Sequence, residues 1–376
     1  INNVFGISLQ DSVGLIDADN MFSVVLENNI TGENTAVCIL DTGIDVDHPG
    51  LSGNYLNGYD FVNNDNDPSD DHGHGTHVSG IAKGVAPDAG LIHIKVLNSG
   101  GTGFQDDIIA GINWCIGNKT TYNVTVISMS LGAGEYDAYC DSSFPSLASA
   151  IDDAVVAGIV VVASSGNVDG TYPDINKISS PGCIENSIAV GSTDKSDQLA
   201  SYGKRNSLVD LMATGSDINS TANGGGYTTM SGTSMSAPHV TGAVALAQQF
   251  EYEEDGSFSS PSVIESAFEN NGVGVSGYVR IDVDNGIISL DNTNPTVNLF
   301  YPDGSNYSER ANLSLNYSAT DAFLNNVWYN IDGGENISLN GNTSFYPEGG
   351  DHVLNLYAND SKGSSGSDSV SFSIDV

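Results

Sequence analysis

The sequence predicts an α/β fold, a domain with a mainly parallel central sheet flanked by helices, followed by a small all-β sandwich. Three observations carry this reading. Apolar runs alternate with amphipathic stretches through residues 36–215; several runs are apolar throughout, as strands covered on both faces require; and helical periodicity disappears after Asp291. A chain of 376 residues also suits one large domain with one accessory domain.

In the larger part the candidate strands are residues 36–40, 91–97, 124–131, 158–163, 187–191 and 207–212. The candidate helices are 74–83, 105–116, 146–157 and 234–250. The reading therefore assigns 1–291 to the first domain, 292–296 (Asn-Thr-Asn-Pro-Thr) to a linker and 297–376 to the β module. Alternating runs at 297–300, 313–319, 327–331, 337–339, 353–358 and 370–376 supply the strands of that module. Asp332-Gly333-Gly334 and Glu348-Gly349-Gly350 supply turns between them.

Three local signatures carry chemistry. Asp41 closes an apolar run and leads into Thr42-Gly43-Ile44-Asp45. His74 lies within His72-Gly73-His74-Gly75-Thr76-His77, and Ser234 opens an apolar helix after Gly232-Thr233. A buried carboxylate, an imidazole and a hydroxyl are the parts of an activated serine nucleophile. Asp45 and Asp47 rival Asp41, but only Asp41 directly ends the buried strand. A helix starting at the nucleophile also points backbone N–H groups at developing negative charge.

Read in order, Asp then His then Ser, each inside its own signature, the chain resembles the subtilisin-like serine proteases, or subtilases, over roughly residues 1–290. The order separates this family from the other families that use the same three residues. The resemblance implies a subtilisin-like three-layer domain. It also implies an endopeptidase working through an acyl-enzyme on Ser234, with His74 as base and Asp41 orienting it; the family motif selects His74 and leaves His77 structural and His72 exposed. Asn167, in Ser164-Ser165-Gly166-Asn167, matches the side chain that shares the oxyanion with the Ser234 backbone N–H. Gly101, Thr102, Gly103, Phe104, Ser130, Leu131 and Gly132 match the peptide-binding edges. The β module resembles the immunoglobulin-like or fibronectin-like modules appended to secreted enzymes.

Two metal signatures depart from the family. The segment His48-Pro49-Gly50-Leu51 lacks the aspartate that often follows His-Pro, and the calcium loop after the catalytic histidine is missing. In their place Asp60 and the segment 63–71 resemble a calcium loop of some family members, with Asp60, Asp65 and Asp67 as candidate Ca²⁺ ligands. The four cysteines show no Cys-x-x-Cys spacing, so zinc is disfavoured. Sequence permits three full pairings; one or two disulfides are expected, Cys140 with Cys183 first and Cys38 with Cys115 second, with free buried cysteines as the alternative for the second pair.

Charge bounds the partners. Against 47 Asp and Glu stand only 10 Lys and Arg, a formal net charge of -37. The excess is spread along the chain, 37 acids against 8 bases in residues 1–292 and 10 against 2 in 293–376. Such a surface disfavours nucleic acid and anionic membranes, and it is the balance expected of a protein in concentrated salt. No apolar stretch is long enough to span a membrane.

Sequons at Asn29, Asn118, Asn123, Asn219, Asn306, Asn312, Asn316, Asn336, Asn342 and Asn359 suit a secreted or surface glycoprotein. The start at Ile1 is read as mature, the family's propeptide being a removed inhibitor. Polypeptide substrates and a monomeric enzyme complete the expectation. The rival functions are a surface glycoprotein that keeps the fold for binding or assembly, and a maturation protease dedicated to one partner.

Overall fold

The computed structural model describes residues 10–18, 30–308 and 312–375. Ile1, the Asn29 sequon and Val376 lie outside them. The described chain forms two units, one reaching Leu290 and one starting at Asp291.

In the first unit the strands are β1 (Ala36–Asp41), β2 (Tyr55–Asp60), β3 (Gly90–Lys95), β4 (Val124–Met129), β5 (Ala133–Tyr136), β6 (Val160–Ser164), β7 (Ile178–Ser180), β8 (Ile188–Thr193), β9 (Leu211–Thr214), β10 (Ile218–Thr221), β11 (Tyr227–Met230), β12 (Val273–Val275) and β13 (Tyr278–Arg280). The helices are α1 (Gln10–Val13), α2 (His74–Val85), α3 (Gln105–Gly117), α4 (Lys119–Tyr122), α5 (Pro145–Val156), α6 (Thr233–Asp255), α7 (Pro261–Asn271) and α8 (Val283–Leu290).

Nine strands make one sheet in the order β12-β13-β9-β8-β6-β4-β1-β3-β2. Neighbours are parallel except β12 and β13. Helices α2 and α6 pack on each other on one side, and α3 and α5 pair on the other. Ala36, Cys38 and Leu40 of β1 join Ile112, Cys115, Leu147 and Ile151 in one apolar cluster. Every residue of β1, β3, β4, β6 and β8 is buried, which explains their mainly apolar character, broken by a few buried polar residues such as Thr125, Ser128, His93 and Lys95.

Most predicted strands shift by a residue or more at an end, and two of these shifts have a clear cause or consequence. The run 124–131 leaves the sheet after Met129, so Ser130 to Gly132 are free to line a cleft. The strand expected at 207–212 begins at Leu211, because the Asn206 side chain caps Leu208 N–H and holds a turn there. Edge strand β2, Tyr-Leu-Asn-Gly-Tyr-Asp, has no run to betray it and is held only by β3.

Both favoured cysteine pairings are formed, Cys38–Cys115 joining β1 to α3 and Cys140–Cys183 joining two loops. They close 77 and 43 residues of chain. Loop-closure entropy alone gives such links about 4 kcal/mol each.

In the second unit β14 (Thr296–Tyr301), β15 (Asn306–Tyr307), β16 (Leu313–Thr320), β17 (Leu324–Ile331), β18 (Ile337–Leu339), β19 (Thr343–Phe345), β20 (Gly350–Asp360) and β21 (Ser365–Ile374) form two sheets, β14-β16-β19 and β15-β21-β20-β17-β18. Leu313, Leu315, Phe345, Leu354, Leu356 and Phe372 share one core between them. Thr296, read as the end of a linker, already opens β14. Paired strands of this unit are antiparallel with one exception. β15 runs parallel to β21, because the chain crosses to the other sheet after β14.

Candidate active site

β1 delivers Asp41, fully buried, to the mouth of a cleft of about 770 Å³. Its Oδ1 accepts the Thr42 N–H at 2.7 Å and lies 2.8 Å from His74 Nδ1. A carboxylate only accepts, so Nδ1 carries the proton and Nε2 is left with its lone pair. His74 is the first residue of α2. Gly73 before it takes a φ of 103°, open to glycine, and a Cβ on Gly75 would meet the Gly43 carbonyl at 2.1 Å. Glycine at both places lets the helix start directly against the end of β1.

Asp70 fixes this junction. Its carboxylate accepts the N–H groups of His72, Gly73 and Thr76 and the hydroxyls of Thr42 and Thr76. Burial alone would raise its pKa, but these bonds outweigh it and hold the carboxyl below its ordinary range. At His74 burial opposes protonation. The charge and hydrogen bond of Asp41, with the charge of Asp70, outweigh it and raise the pKa above 6.5.

The nucleophile comes from the opposite wall. α6 is buried on nearly all sides, and Pro238 lies in its second turn. Proline has no N–H, so it cannot serve the Ser234 carbonyl four residues back. Ser130 supplies the missing bond, its Oγ donating to Ser234 O at 2.9 Å. Ser234 Oγ in turn donates to Ser130 O at 3.1 Å. The hydroxyl is thus parked on the edge segment, and rotation about Cα–Cβ redirects it. Catalytic contacts that close only with substrate are common in unliganded sites.

Asn167 follows β6. Its Oδ1 accepts the Thr233 N–H at 3.0 Å and the Thr233 hydroxyl at 3.3 Å. With its oxygen held by the start of α6, the amide NH₂ is the group left for the cleft. The Ser234 N–H lies in the first turn, where a helix offers no carbonyl partner. Two donors therefore converge beside the hydroxyl.

His74, Ser234, Asn167, Gly101, Thr102, Gly103, Ser130, Leu131 and Gly132 all line this cleft. Phe104 does not; it precedes α3 with 77% of its surface exposed. An aromatic beside a glycine-rich edge reads like a subsite wall, but this side chain is open to solvent. His72 lines the cleft, while His77 is buried with Nε2 against Thr228 O. Burial lowers the His77 pKa to about 4 and keeps it neutral.

Asp60 and Asp65 pair backbone to backbone, but the carboxylates of Asp60, Asp65 and Asp67 do not form a three-acid cluster. Among the described residues they are absent from the acidic groups whose oxygens converge within 4.8 Å. Asp60 accepts from the Asn63 N–H and side chain, Asp65 from Asp67 N–H, and Asp67 from Ser69. Asx turns of this kind shape a loop dense in Asp and Asn.

Two residues with a hold on the site are missing from the sequence reading. Asp70 sits among acidic neighbours of identical appearance, so only its burial distinguishes it. His93 had a visible signal, a lone imidazole inside the apolar run Leu91-Ile92-His93-Ile94. It is fully buried, its ring 3.0 Å from where a Gly75 Cβ would stand, and burial lowers its pKa to about 4.

The profile of the subtilase family matches residues 32–296. An intracellular serine protease of Paenibacillus polymyxa is 40% identical over 235 residues, 59% of this chain and 69% of that protein. Alkaline serine exoprotease A of Vibrio alginolyticus is 36% identical over 70% of this chain but only 46% of its own length, so the chain spans about half of that relative. Among solved structures, a cold adapted subtilisin-like serine proteinase superposes with a TM-score of 0.58 at 31% identity, covering 72% of this chain and 96% of its own.

Proposed function

From the premise that this chain belongs to the subtilase family and is a serine endopeptidase, we propose that Ser234, His74, Asp41 and Asn167 carry its chemistry, on polypeptides, outside the cell and in concentrated salt. The observation that supports the roles most directly is the Asp41–His74 hydrogen bond at the rim of the cleft that also holds Ser234 and Asn167.

In this mechanism a peptide lies extended along Gly101–Gly103 and Ser130–Gly132. Ser234 Oγ attacks the carbonyl carbon of the scissile bond and its proton passes to His74 Nε2. The carbonyl π-electrons move to oxygen, which takes hydrogen bonds from Asn167 Nδ2 and Ser234 N–H. Collapse breaks the C–N bond while His74 returns the proton to the departing amine. Water then repeats the sequence on the acyl-Ser234 ester and frees the acid. Asp41 holds the imidazole and stabilises its charged form throughout.

Asn167→Ala should lower kcat by 10²- to 10³-fold, about 3 kcal/mol, with KM nearly unchanged. That magnitude is borrowed from subtilisin. Steady-state kinetics on a chromogenic peptide measures it, and an effect confined to KM would remove Asn167 from the oxyanion site. Calcium, which the resemblance implies, enters no step. The roles are tested by a fluorophosphonate probe with mapping of the adduct. Labelling at Ser234 supports them, and no labelling of folded protein favours the reading as a binding or assembly glycoprotein.

Salt adaptation rests on charge. Of the ten cations, Lys83, Lys95, Lys204 and Arg280 are buried. Lys95 pairs with Asp71, Lys204 with Glu135 and Arg280 with Asp197. Among the described residues seven acids are buried as well, Asp41, Asp60, Asp70, Glu251, Asp282, Asp291 and Asp360, so the surface stays strongly acidic and counterions must screen it. Activity and melting temperature should rise from low to molar NaCl or KCl; a flat or falling profile would discard the salt-adapted reading. The sequons support secretion, and a pro-form that is inhibited until cleaved is part of the same reading. Two sheets around one core support an immunoglobulin-like or fibronectin-like second unit.

A further inference from the structure

Three aspartates of the second unit meet at one end of its sheets. Asp291 precedes β14, Asp321 follows β16 and Asp360 closes β20. One carboxylate oxygen from each lies within 4.8 Å of the others. Each residue commits Oδ1 to its own loop: Asp291 to the Thr293 N–H and hydroxyl, Asp321 to Phe323 N–H, Asp360 to the N–H groups of Gly363 and Ser364. Each leaves Oδ2 buried and without a hydrogen-bond partner. Asp291 and Asp360 are each only 1% exposed.

An unpartnered buried carboxylate oxygen is costly, and three carboxylates this close add mutual repulsion. The nearby Lys362 ammonium is directed to the Asp291 carbonyl and the Asn292 side chain. The other converging acids, Asp210, Glu265 and Glu269, are all half-exposed, and Asp210 Oδ2 accepts the Ala189 N–H. That group has no buried unpartnered oxygen among the described residues.

We propose that Asp291, Asp321 and Asp360 bind one Ca²⁺ ion that ties together the three loops at this end of the β unit. The donors are hard oxygens, the class Ca²⁺ selects. At about 2.3–2.6 Å per bond, oxygens held by one Ca²⁺ stand no more than about 5.2 Å apart, and Mg²⁺, which keeps several waters, is usually held by only one or two carboxylates; the three oxygens here lie within 4.8 Å of one another. Three carboxylates leave room for further oxygen ligands, and the ion supplies the charge the orphaned atoms lack.

The test uses the full chain as its Ser234→Ala variant, to prevent autolysis, stripped with EGTA in molar NaCl. Hydrogen exchange with and without CaCl₂ should show slower exchange in the segments carrying Asp291, Asp321 and Asp360. Calorimetric titration should show a site whose affinity Asp321→Asn, at the least buried of the three, lowers at least tenfold. Asp65→Asn should leave the site intact. Calcium-independent exchange at all three segments would overturn the proposal, whether or not the variant folds. Protection confined to residues 60–71, or an unchanged titration of Asp321→Asn, would overturn it too.

Discussion

Replacing Ser234 by alanine should slow peptide hydrolysis by on the order of 10⁶ in kcat, the loss seen when the same residue type is removed from subtilisin. The fold should survive, because the serine's structural bonds are made by its backbone. Ser130 Oγ donates to the Ser234 carbonyl, and the carbonyl gap left by Pro238 stays filled. Only the bond from Ser234 Oγ to Ser130 O is lost. KM should change little, since the edges that hold the peptide are untouched. Adding His74→Ala should cost almost nothing more, because base and nucleophile act as one unit. Single-turnover and steady-state assays of both variants, with circular dichroism as a folding control, measure this. A second large loss in the double variant would mean that His74 works apart from Ser234.

Asp41→Asn should lower kcat by on the order of 10⁴ and shift the pH profile. The asparagine keeps the shape but can donate where a carboxylate can only accept, so it no longer fixes the proton on His74 Nδ1. The base must be neutral to take the Ser234 proton. In the parent, burial pulls the His74 pKa down while Asp41 and Asp70 more than compensate, so kcat/KM should fall with acid through a midpoint above 6.5. Without the Asp41 charge burial gains the upper hand and the midpoint should move to lower pH. An unchanged midpoint would show that the profile reports a group other than His74.

The chemistry was legible because it is local. Asp41, His74, Asn167 and Ser234 each sit at the end of a strand or the start of a helix, where a few neighbours state both the turn and the residue it exposes. The buried strands were equally plain, since a sheet covered on both faces admits only apolar runs. The edge strand β2 and the hairpin of β10 and β11 were not, because half-exposed pairs leave no run to read. Asp60, Asp65 and Asp67 are the opposite case. A dense acidic loop has the composition of a cation site, and the same side chains also accept hydrogen bonds that shape local turns.

The sequence by itself determined the order of the main buried strands and their helices, the residues at the reactive turns and the one-sided charge, all properties of short segments or of composition. The tertiary structure alone decided which carboxylates are buried and what they face. It made Asp70 the fastener of the helix start, put His93 beneath the reactive pair, turned Phe104 away from the cleft, and gathered Asp291, Asp321 and Asp360 from positions up to 69 residues apart. Burial and long-range convergence depend on how distant segments pack. An aspartate in a string of letters looks the same whether water, an N–H group or a cation will finally answer its charge.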